Sequence, residues 1–148
     1  MAEAFTWRDF QDLSPFELHA LLKLRCDVFI VEQECAFLEI DGKDPLARHL
    51  LCHDGADLIG CLRIFAPGLS GDAARIGRVV VAPPGRGTGL GRRLMQAALD
   101  EIEARQGRTP VALSAQLHLE AFYAGFGFTR VAEPYLEDGI PHCDMRRG

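Results

Sequence analysis

The chain has 148 residues, 48% of them apolar, which predicts one domain over residues 1–148 with a single substantial core. Its 16 basic and 21 acidic residues give a net charge of −5, and we expect no nucleic-acid partner. The start lacks a basic segment followed by an apolar one, and no apolar run could span a bilayer, so we expect a cytoplasmic protein with no membrane partner.

The cysteines and histidines are scattered. Five cysteines without a Cys-x-x-Cys pair argue against a disulfide framework and against a zinc knuckle. His49 and His53 have the spacing of metal ligands only on a helix, whereas their segment is predicted to be a strand. We therefore expect reduced thiols and no metal.

The first predicted elements are a strand at residues 5–10 and a helix that begins after Ser14. Ser14, Pro15 and Glu17 supply a cap, a first-turn proline and a capping-box glutamate. Two charges lie on the apolar face of this helix, because Arg25 is on that face and Glu32 follows two turns later. Either they form a partly buried ion pair over the sheet, or they border a polar substrate cavity.

The next segment, residues 32–44, interleaves five acids with apolar residues and contains an Asp-Gly turn. One interpretation is a solvated acidic loop. In the other, Phe37, Leu38 and Ile40 pack the loop onto the domain, and its acids meet a cationic substrate.

Three strands are predicted next, at residues 48–53, 58–65 and 76–81, with a hairpin turn at residues 54–57. They form an antiparallel meander that leads into a glycine-rich stretch. There a β-branched run ends at two prolines, alternate glycines follow, and apolar residues then recur at helical spacing. Glycines at a helix N-terminus let a phosphate approach the unpaired amides of the first turn, so the stretch predicts a site for a phosphorylated cofactor.

Charge placement supports that site. Between Ala73 and Leu99 there are five arginines and no Asp or Glu, which leaves 11 basic against 21 acidic residues elsewhere. A local basic patch in an acidic protein favours a polyanionic ligand. The alternative is a glycine-rich strand-to-helix turn that binds nothing.

The spacing of Gly87, Gly89 and Gly91 does not fit the dinucleotide fingerprint, and Gly91-Arg92-Arg93 is not a nucleotide-triphosphate loop. The pattern Arg86-x-x-Gly89-x-Gly91 after a strand instead resembles the pyrophosphate-binding motif of the GNAT (Gcn5-related) N-acetyltransferases.

A further strand at residues 111–115 and a helix at residues 116–124 are predicted after Gly107, a natural helix stop. Residues 116–128 resemble the GNAT motif that ends in Tyr-x-x-x-Gly-Phe, with Gln116 where the family usually has Asn. The resemblance implies that Gln116 contacts the cofactor and that Tyr123 is the general acid. Residues 24–33 and 135–145 are similar to the ElaA-like branch of the family.

The resemblance implies an α/β (α+β) GNAT fold with a mixed central sheet of six or seven strands and about four helices, ordered β1-α1-α2-β2-β3-β4-α3-β5-α4-β6-β7. The fourth and fifth strands should splay apart. The pantetheine arm of acetyl-CoA should then pair with the exposed backbone of the fourth strand.

The expected cofactor is acetyl-CoA as co-substrate, without metal. The residues expected to bind it are Val79, Val80, Val81, Arg86, Gly87, Thr88, Gly89, Leu90, Gly91, Arg92, Gln116 and Tyr123. The expected catalytic residues are Tyr123 as the acid, with Glu32 and His142 as alternative bases. The residues expected to border the acceptor are Arg25, Glu32, Asp41, Glu137 and Asp138.

The leading hypothesis is direct transfer of an acetyl group to a primary amine of a small molecule or peptide, with a homodimer as an open alternative to a monomer. A second hypothesis is acyl-homoserine-lactone synthesis, because Arg25-x-x-Val28-Phe29 and Glu39-x-Asp41-x-x-Asp44 are similar to that related family. A third is a coenzyme-A-binding module without turnover.

Overall fold

A mixed eight-stranded sheet organises the computed structural model, which describes residues 3–148. Its strands are β1 (Glu3–Asp9), β2 (Arg48–Asp54), β3 (Asp57–Phe65), β4 (Ala74–Val81), β5 (Val111–Gln116), β6 (Thr129–Arg130), β7 (Tyr135–Glu137) and β8 (Ile140–Arg147). Its helices are α1 (Pro15–Cys26), α2 (Leu90–Gln106) and α3 (Glu120–Ala124). The strand order is β1-β2-β3-β4-β5-β8-β6, and β7 pairs with β8.

The predicted α/β fold with a mixed sheet is confirmed, and its element count differs in two places. The sheet has eight strands rather than six or seven, because the two-residue β6 and the three-residue β7 both pair with β8. Three α-helices are present in residues 3–148 instead of about four. The expected second helix is replaced by a π-helical segment, Asp27–Glu32, that continues directly from α1.

The first four strands form the predicted antiparallel meander. Gly55, in the turn between β2 and β3, has a φ of 61°, a conformation that favours glycine. Helix α1 begins with the predicted capping box, in which Ser14 Oγ accepts from the Glu17 amide and Glu17 Oε1 accepts from the Ser14 amide. No helix among residues 3–148 is long and apolar enough to cross a membrane.

Strands β4 and β5 meet only briefly. They pair in parallel at Ala74–Val111 and Arg75–Ala112, and β5 then continues antiparallel to β8 along its whole length. Beyond Arg75, the edge of β4 that faces β5 has no strand partner among residues 3–148. The two strands therefore splay into an open V, as the family resemblance implied.

A bulge at Arg78 changes which residues of β4 face each side of the sheet. Arg78 has a φ of 52°, and the pairing between β3 and β4 shifts register at this point. As a result, Val79 and Val81 pack with the core under α2, whereas Val80 packs with the core under α1.

The core lies on both faces of the sheet. On one face, α2 and α3 bury Leu94, Met95 and Phe128 against the strands. On the other face, α1 buries Leu21 and Leu24. Helix α1 covers the β2–β4 side only, so the same face of β5 and β8 stays open, and Ser114 on β5 is exposed.

Candidate active site

The V between β4 and β5 opens into a cleft of about 1260 Å³. Its walls come from β4, β5, the start of α2, α3, the π-helical segment, the acidic loop and the β7–β8 turn. Segments that are far apart in sequence thus share one cavity, which can hold a ligand of cofactor size.

Backbone amides without partners lie in the loop that contributes Arg86 and Gly91 to the cleft wall. None of the amide N–H groups from Gly87 to Arg92 donates a hydrogen bond to any residue within 3–148, and the next amide, Arg93, bonds to the Gly89 carbonyl. Gly87 and Gly89 have φ values of 74° and 81°. These left-handed conformations turn the chain into α2 and keep its first-turn donors open, which is the geometry of an anion site.

The side chains of the loop brace it. Thr88 Oγ1 donates to the Gly85 carbonyl at 2.6 Å, and Arg93 Nη1 donates to the Thr88 carbonyl at 2.8 Å. Arg86 donates from Nε to the Val81 carbonyl at 3.1 Å and from Nη2 to Glu32 Oε1 at 2.9 Å. Arg92 lies 5.6 Å from the ring centre of Phe126. The loop conformation is therefore set before any ligand binds.

The predicted general acid, Tyr123, lines the cleft from α3 while most of its ring is in the core. Burial raises the pKa of Tyr123 to about 12. Its ring packs edge-on against Phe122, with 5.1 Å between the ring centres. The phenol therefore stays protonated at neutral pH and is a donor, never a base.

Gln116 ends β5 on the opposite arm of the V. Its Nε2 donates to Gln33 Oε1 at 3.2 Å, so this amide links β5 to the segment after the π-helical turn. Both glutamines line the cleft.

His142 on β8 is held with one ring nitrogen open. Its Nδ1 lies 2.7 Å from the Ile140 carbonyl oxygen, which can only accept, so Nδ1 carries a proton. The neutral ring then has its lone pair on Nε2, which is 3.5 Å from Glu137 Oε2. The ring stacks on Tyr135, with 6.1 Å between the ring centres.

Three residues that support His142 were missed by the sequence analysis. Tyr135 donates from its hydroxyl to Asp144 Oδ1 at 2.8 Å, and the same hydroxyl contacts Ser114 Oγ. Asp144 and His142 alternate along β8, and this spacing was the available signal that they share a face. The network fixes Tyr135, and Tyr135 in turn holds the imidazole.

The second candidate base, Glu32, ends the π-helical segment and lines the cleft. The proposed Glu32–Arg25 ion pair is wrong, because Glu32 pairs with Arg86. The i→i+5 bonding of the π-helical turn rotates the residues after Asp27 relative to α1, which takes Glu32 off the face of Arg25.

Arg25 was predicted to border the acceptor, but it lies in the interior of the protein. It is 1% exposed and does not line the cleft. It donates from Nε and Nη2 to the two carboxylate oxygens of Glu39, at 2.6 and 2.7 Å, and from Nη1 to Asp44 at 2.8 Å. Burial would lower the pKa of Arg25, but the hydrogen bonds to both carboxylates raise it above its ordinary value.

The acids expected around the acceptor fall into two groups. Asp41 lines the cleft, but its carboxylate contacts Arg63 at 2.6 Å and Arg78 at 3.5 Å, and the hydrogen bond from Arg63 holds its pKa far below the usual range. Glu137 and Asp138 line the cleft from the exposed β7–β8 turn. In this second group, Asp138 has no side-chain partner among residues 3–148, and Glu137 has only its 3.5 Å contact with His142 Nε2.

Metal-binding geometry is missing from the part of the chain that the structure describes, since no group of three or more His, Cys, Asp or Glu side chains there could hold an ion. The predicted site residues that line the cleft are Tyr123, His142, Glu32, Gln116, Arg86, Gly91, Val79, Val80, Val81, Asp41, Glu137 and Asp138. The predicted site residues that do not line it are Arg25, Gly87, Thr88, Gly89, Leu90 and Arg92.

Comparison with known proteins shows the family of the chain. Residues 26–147 match the acetyltransferase (GNAT) domain family, and the chain belongs to that family. Within it, the chain is similar to ElaA of Escherichia coli K12, with 42% identity over 145 residues and 95% of each chain covered.

Two crystal structures have the same fold over essentially the whole chain. An acyl-CoA N-acyltransferase from Pseudomonas aeruginosa superposes with a TM-score of 0.96 at 44% identity, and the match covers 99% of this chain and 100% of that one. Escherichia coli ElaA superposes with a TM-score of 0.93 at 39% identity and the same coverage. The ElaA-like resemblance in residues 24–33 and 135–145 is thereby confirmed.

Proposed function

We propose that the protein is an acetyl-CoA-dependent N-acetyltransferase that moves the acetyl group directly to a primary amine of a small molecule or peptide. One observation carries this proposal. The amides from Gly87 to Arg92 have no partner within residues 3–148, and Arg86 and Gly91 of the same loop line the cleft between the splayed strands.

The donor would bind along two stretches of backbone. Its pyrophosphate would accept hydrogen bonds from the loop amides, assisted by the dipole of α2. Its pantetheine arm would pair, in the manner of an added strand, with the edge of β4 that has no strand partner within residues 3–148, at Val79 to Val81. The Val81 carbonyl there already accepts from Arg86 Nε. Bound in this way, acetyl-CoA supplies an acetyl thioester that an amine can attack.

The amine needs a base. A lysine-like amine with a pKa of ~10.4 is neutral in roughly one molecule in 2,500 at pH 7. His142 is the better candidate, because Nδ1 donates to Ile140 and Nε2 is left to accept a proton, directly or through water. Glu32 is the weaker one, since Arg86 already neutralises its carboxylate.

Tyr123 would act on the other side of the reaction. As the C–N bond forms and the C–S bond breaks, the thiolate of coenzyme A takes up the electron pair and needs a proton. A coenzyme A thiol resembles cysteine, with a pKa of ~8.5, whereas the buried phenol has a pKa of about 12. Proton transfer from the phenol to the thiolate is therefore unfavourable unless the dry cleft also raises the pKa of the thiol. Tyr123 therefore hydrogen-bonds to the developing thiolate before it transfers the proton.

The two other hypotheses are weaker. The residues that carried the similarity to acyl-homoserine-lactone synthases, Arg25, Glu39, Asp41 and Asp44, are occupied by their own ion pairs. A coenzyme-A-binding module without turnover needs the loop, but it gives no role to a histidine held in one tautomer in the same cleft.

The experiment is thiol release from acetyl-CoA by the purified full chain, with polyamines, amino acids, aminoglycosides and peptide N-termini as acceptors. We expect acceptor-dependent release, and we expect His142→Gln to lower kcat by roughly 10²–10⁴-fold. His118→Gln is the matched control, because His118 also lines the cleft but makes no hydrogen bond within residues 3–148. Coenzyme A binding without turnover of any acceptor would contradict the proposal and favour the binding module.

A further inference from the structure

Most charged side chains in the cleft wall are neutralised by one another. Glu32 pairs with Arg86, and Asp41 pairs with Arg63 and Arg78. The buried cluster behind this wall is also balanced, with three guanidinium groups and three carboxylates: Arg25, Arg63, Arg78, Glu39, Asp41 and Asp44. A charge that remains without a partner in the cleft is therefore informative about the ligand.

Two cations of the cleft wall have no side-chain partner among residues 3–148, the exposed Lys43 on the acidic loop and Arg75 on β4. Arg75 is the more informative of the two, because a strand fixes its position. It lines the cleft and is only partly exposed, and its side chain has no hydrogen bond or ion pair with any residue between Glu3 and Gly148. Its Cα pairs with Phe65 of β3 and with Ala112 of β5, at the last position where β4 and β5 are joined. Arg75 therefore stands at the closed end of the V.

Arg78 adds donor capacity to the same wall. Its Nη2 donates to the Glu39 carbonyl at 3.1 Å, whereas its Nη1 has no partner among the described residues. The positive φ of Arg78, at the bulge of β4, is unfavourable for a residue with a side chain. Such strain is typical of residues whose position serves a ligand.

The opposite charges lie at the other end of the open face. Glu137 and Asp138 line the cleft on the β7–β8 turn, beside His142. His142 pairs across the sheet with Gln116, four residues along β5 from Ala112, the neighbour of Arg75. At 3.3 Å per residue, this separation is about 13 Å between backbone positions, and side chains reaching in from both ends shorten it.

We propose that the acceptor carries an anionic group, a carboxylate, which is bound by Arg75 with the help of Arg78, while its amine lies at His142 and Glu137. The cleft thus selects amino-acid-like or peptide-like acceptors over purely cationic amines such as polyamines. This inference rests on the proposed N-acetyltransferase function and names its substrate class. It revises the expectation of a simply cationic acceptor, because the acids at positions 32, 39 and 41 are occupied by arginines.

The test compares acceptors with and without this charge: alanine, dialanine and trialanine, each against its own carboxamide. Amidation also lowers the pKa of the amine, which makes the carboxamide the better nucleophile and so acts against the expected preference. We expect the best carboxylate acceptor to exceed its carboxamide at least about tenfold in kcat/KM, as the loss of one charge-assisted hydrogen bond implies. Arg75→Gln should remove this preference by raising the KM of the acid, with the KM of acetyl-CoA unchanged. Arg75→Lys should keep part of it.

Arg108→Gln is the matched control, because it removes the same charge from an exposed arginine that does not line the cleft. The inference would be overturned if Arg75→Gln lowered kcat/KM equally for the acid and the carboxamide, or if Arg108→Gln caused the same loss as Arg75→Gln. It would also be overturned if the unaltered protein showed no preference for the acid. If no acceptor is turned over, the proposed function itself fails. The anion site is then tested by calorimetry with N-acetylated peptides and their carboxamides on the coenzyme-A-bound protein, where equal affinities would overturn it.

Discussion

Gly91 gives the cleanest perturbation of the cofactor loop. Gly89 has a φ of 81°, and a Cβ there would lie 3.2 Å from Arg93 Nη1, so a side chain at Gly89 strains the fold even without ligand. Gly91 is helical, and its Cβ would lie 3.6 Å from Phe122 Cζ, an ordinary van der Waals contact. A side chain at Gly91 therefore fits the folded protein while entering the cleft.

The expected effects on stability and on binding have opposite signs. Gly91→Ala should raise the free energy of unfolding by up to about 1 kcal/mol, because alanine is the better helix former. Gly91→Val places a branched side chain at the amides that receive the pyrophosphate. Loss of one charge-assisted hydrogen bond is worth about 1.5–3 kcal/mol, so the Kd for coenzyme A should rise about 10- to 150-fold.

Isothermal titration of coenzyme A, combined with thermal unfolding without ligand, measures both effects. Gln96→Val is the control, since Gln96 is exposed on α2 and does not line the cleft. A folded Gly91→Val protein with unchanged affinity for coenzyme A would refute the reasoning about the loop amides.

Three other perturbations have defined outcomes. Tyr123→Phe should lower the single-turnover rate of acetyl transfer by roughly 10²–10⁴-fold and leave coenzyme A affinity unchanged. Arg25→Met should reduce the free energy of unfolding by about 3–5 kcal/mol in denaturant titrations, because it leaves Glu39 and Asp44 buried with a cation removed. His49→Gln should make the free energy of unfolding fall less steeply as the pH drops below ~6.5. Burial lowers the pKa of His49, so the unfolded chain binds the extra proton, and stability falls by up to about 1.4 kcal/mol per pH unit as the pH drops.

Each of these outcomes can fail in a definite way. Near-normal single-turnover rates in Tyr123→Phe would mean that the tyrosine only packs the core. A change of under 1 kcal/mol in Arg25→Met would mean that the buried cluster tolerates an unpaired carboxylate. Identical pH profiles of stability in His49→Gln and the unaltered protein would assign the acid sensitivity to other groups.

Local patterns in the sequence were sufficient for the meander, the capping box and the glycine loop. Alternation along β2 to β4, the order Ser14-Pro15-x-Glu17 and the glycines before α2 are decided by neighbours in the chain, so their structures follow from short-range physics. The positions of Tyr123 and Gln116 came from the family resemblance, and His142 was chosen because histidine is the usual base near neutral pH. Local patterns could not place the three in one cleft, because long-range strand pairing brings them together.

In the acidic loop, two acids rather than Leu38 and Ile40 are buried, because ion pairs with arginines outweigh the hydropathy of the individual residues. One of the two interpretations of residues 32–44 had Phe37, Leu38 and Ile40 packing the loop onto the domain. Leu38 is 83% and Ile40 60% exposed, whereas Glu39 is 2% exposed. Arginines from α1, β3 and β4 hold the acids inward. Their positions in space depend on the sheet, so no local pattern in residues 32–44 could reveal that partnership.

The central claim is that coenzyme A binds through the amides from Gly87 to Arg92, and amide NMR titration tests it most directly. Saturating coenzyme A should shift these amide resonances most strongly, since they gain a phosphate partner. Pantetheine, which lacks the pyrophosphate, should shift resonances near Val79 to Val81 and leave the loop amides unchanged. Loop amides that stay in place with saturating coenzyme A, or that move equally with pantetheine, would contradict the account.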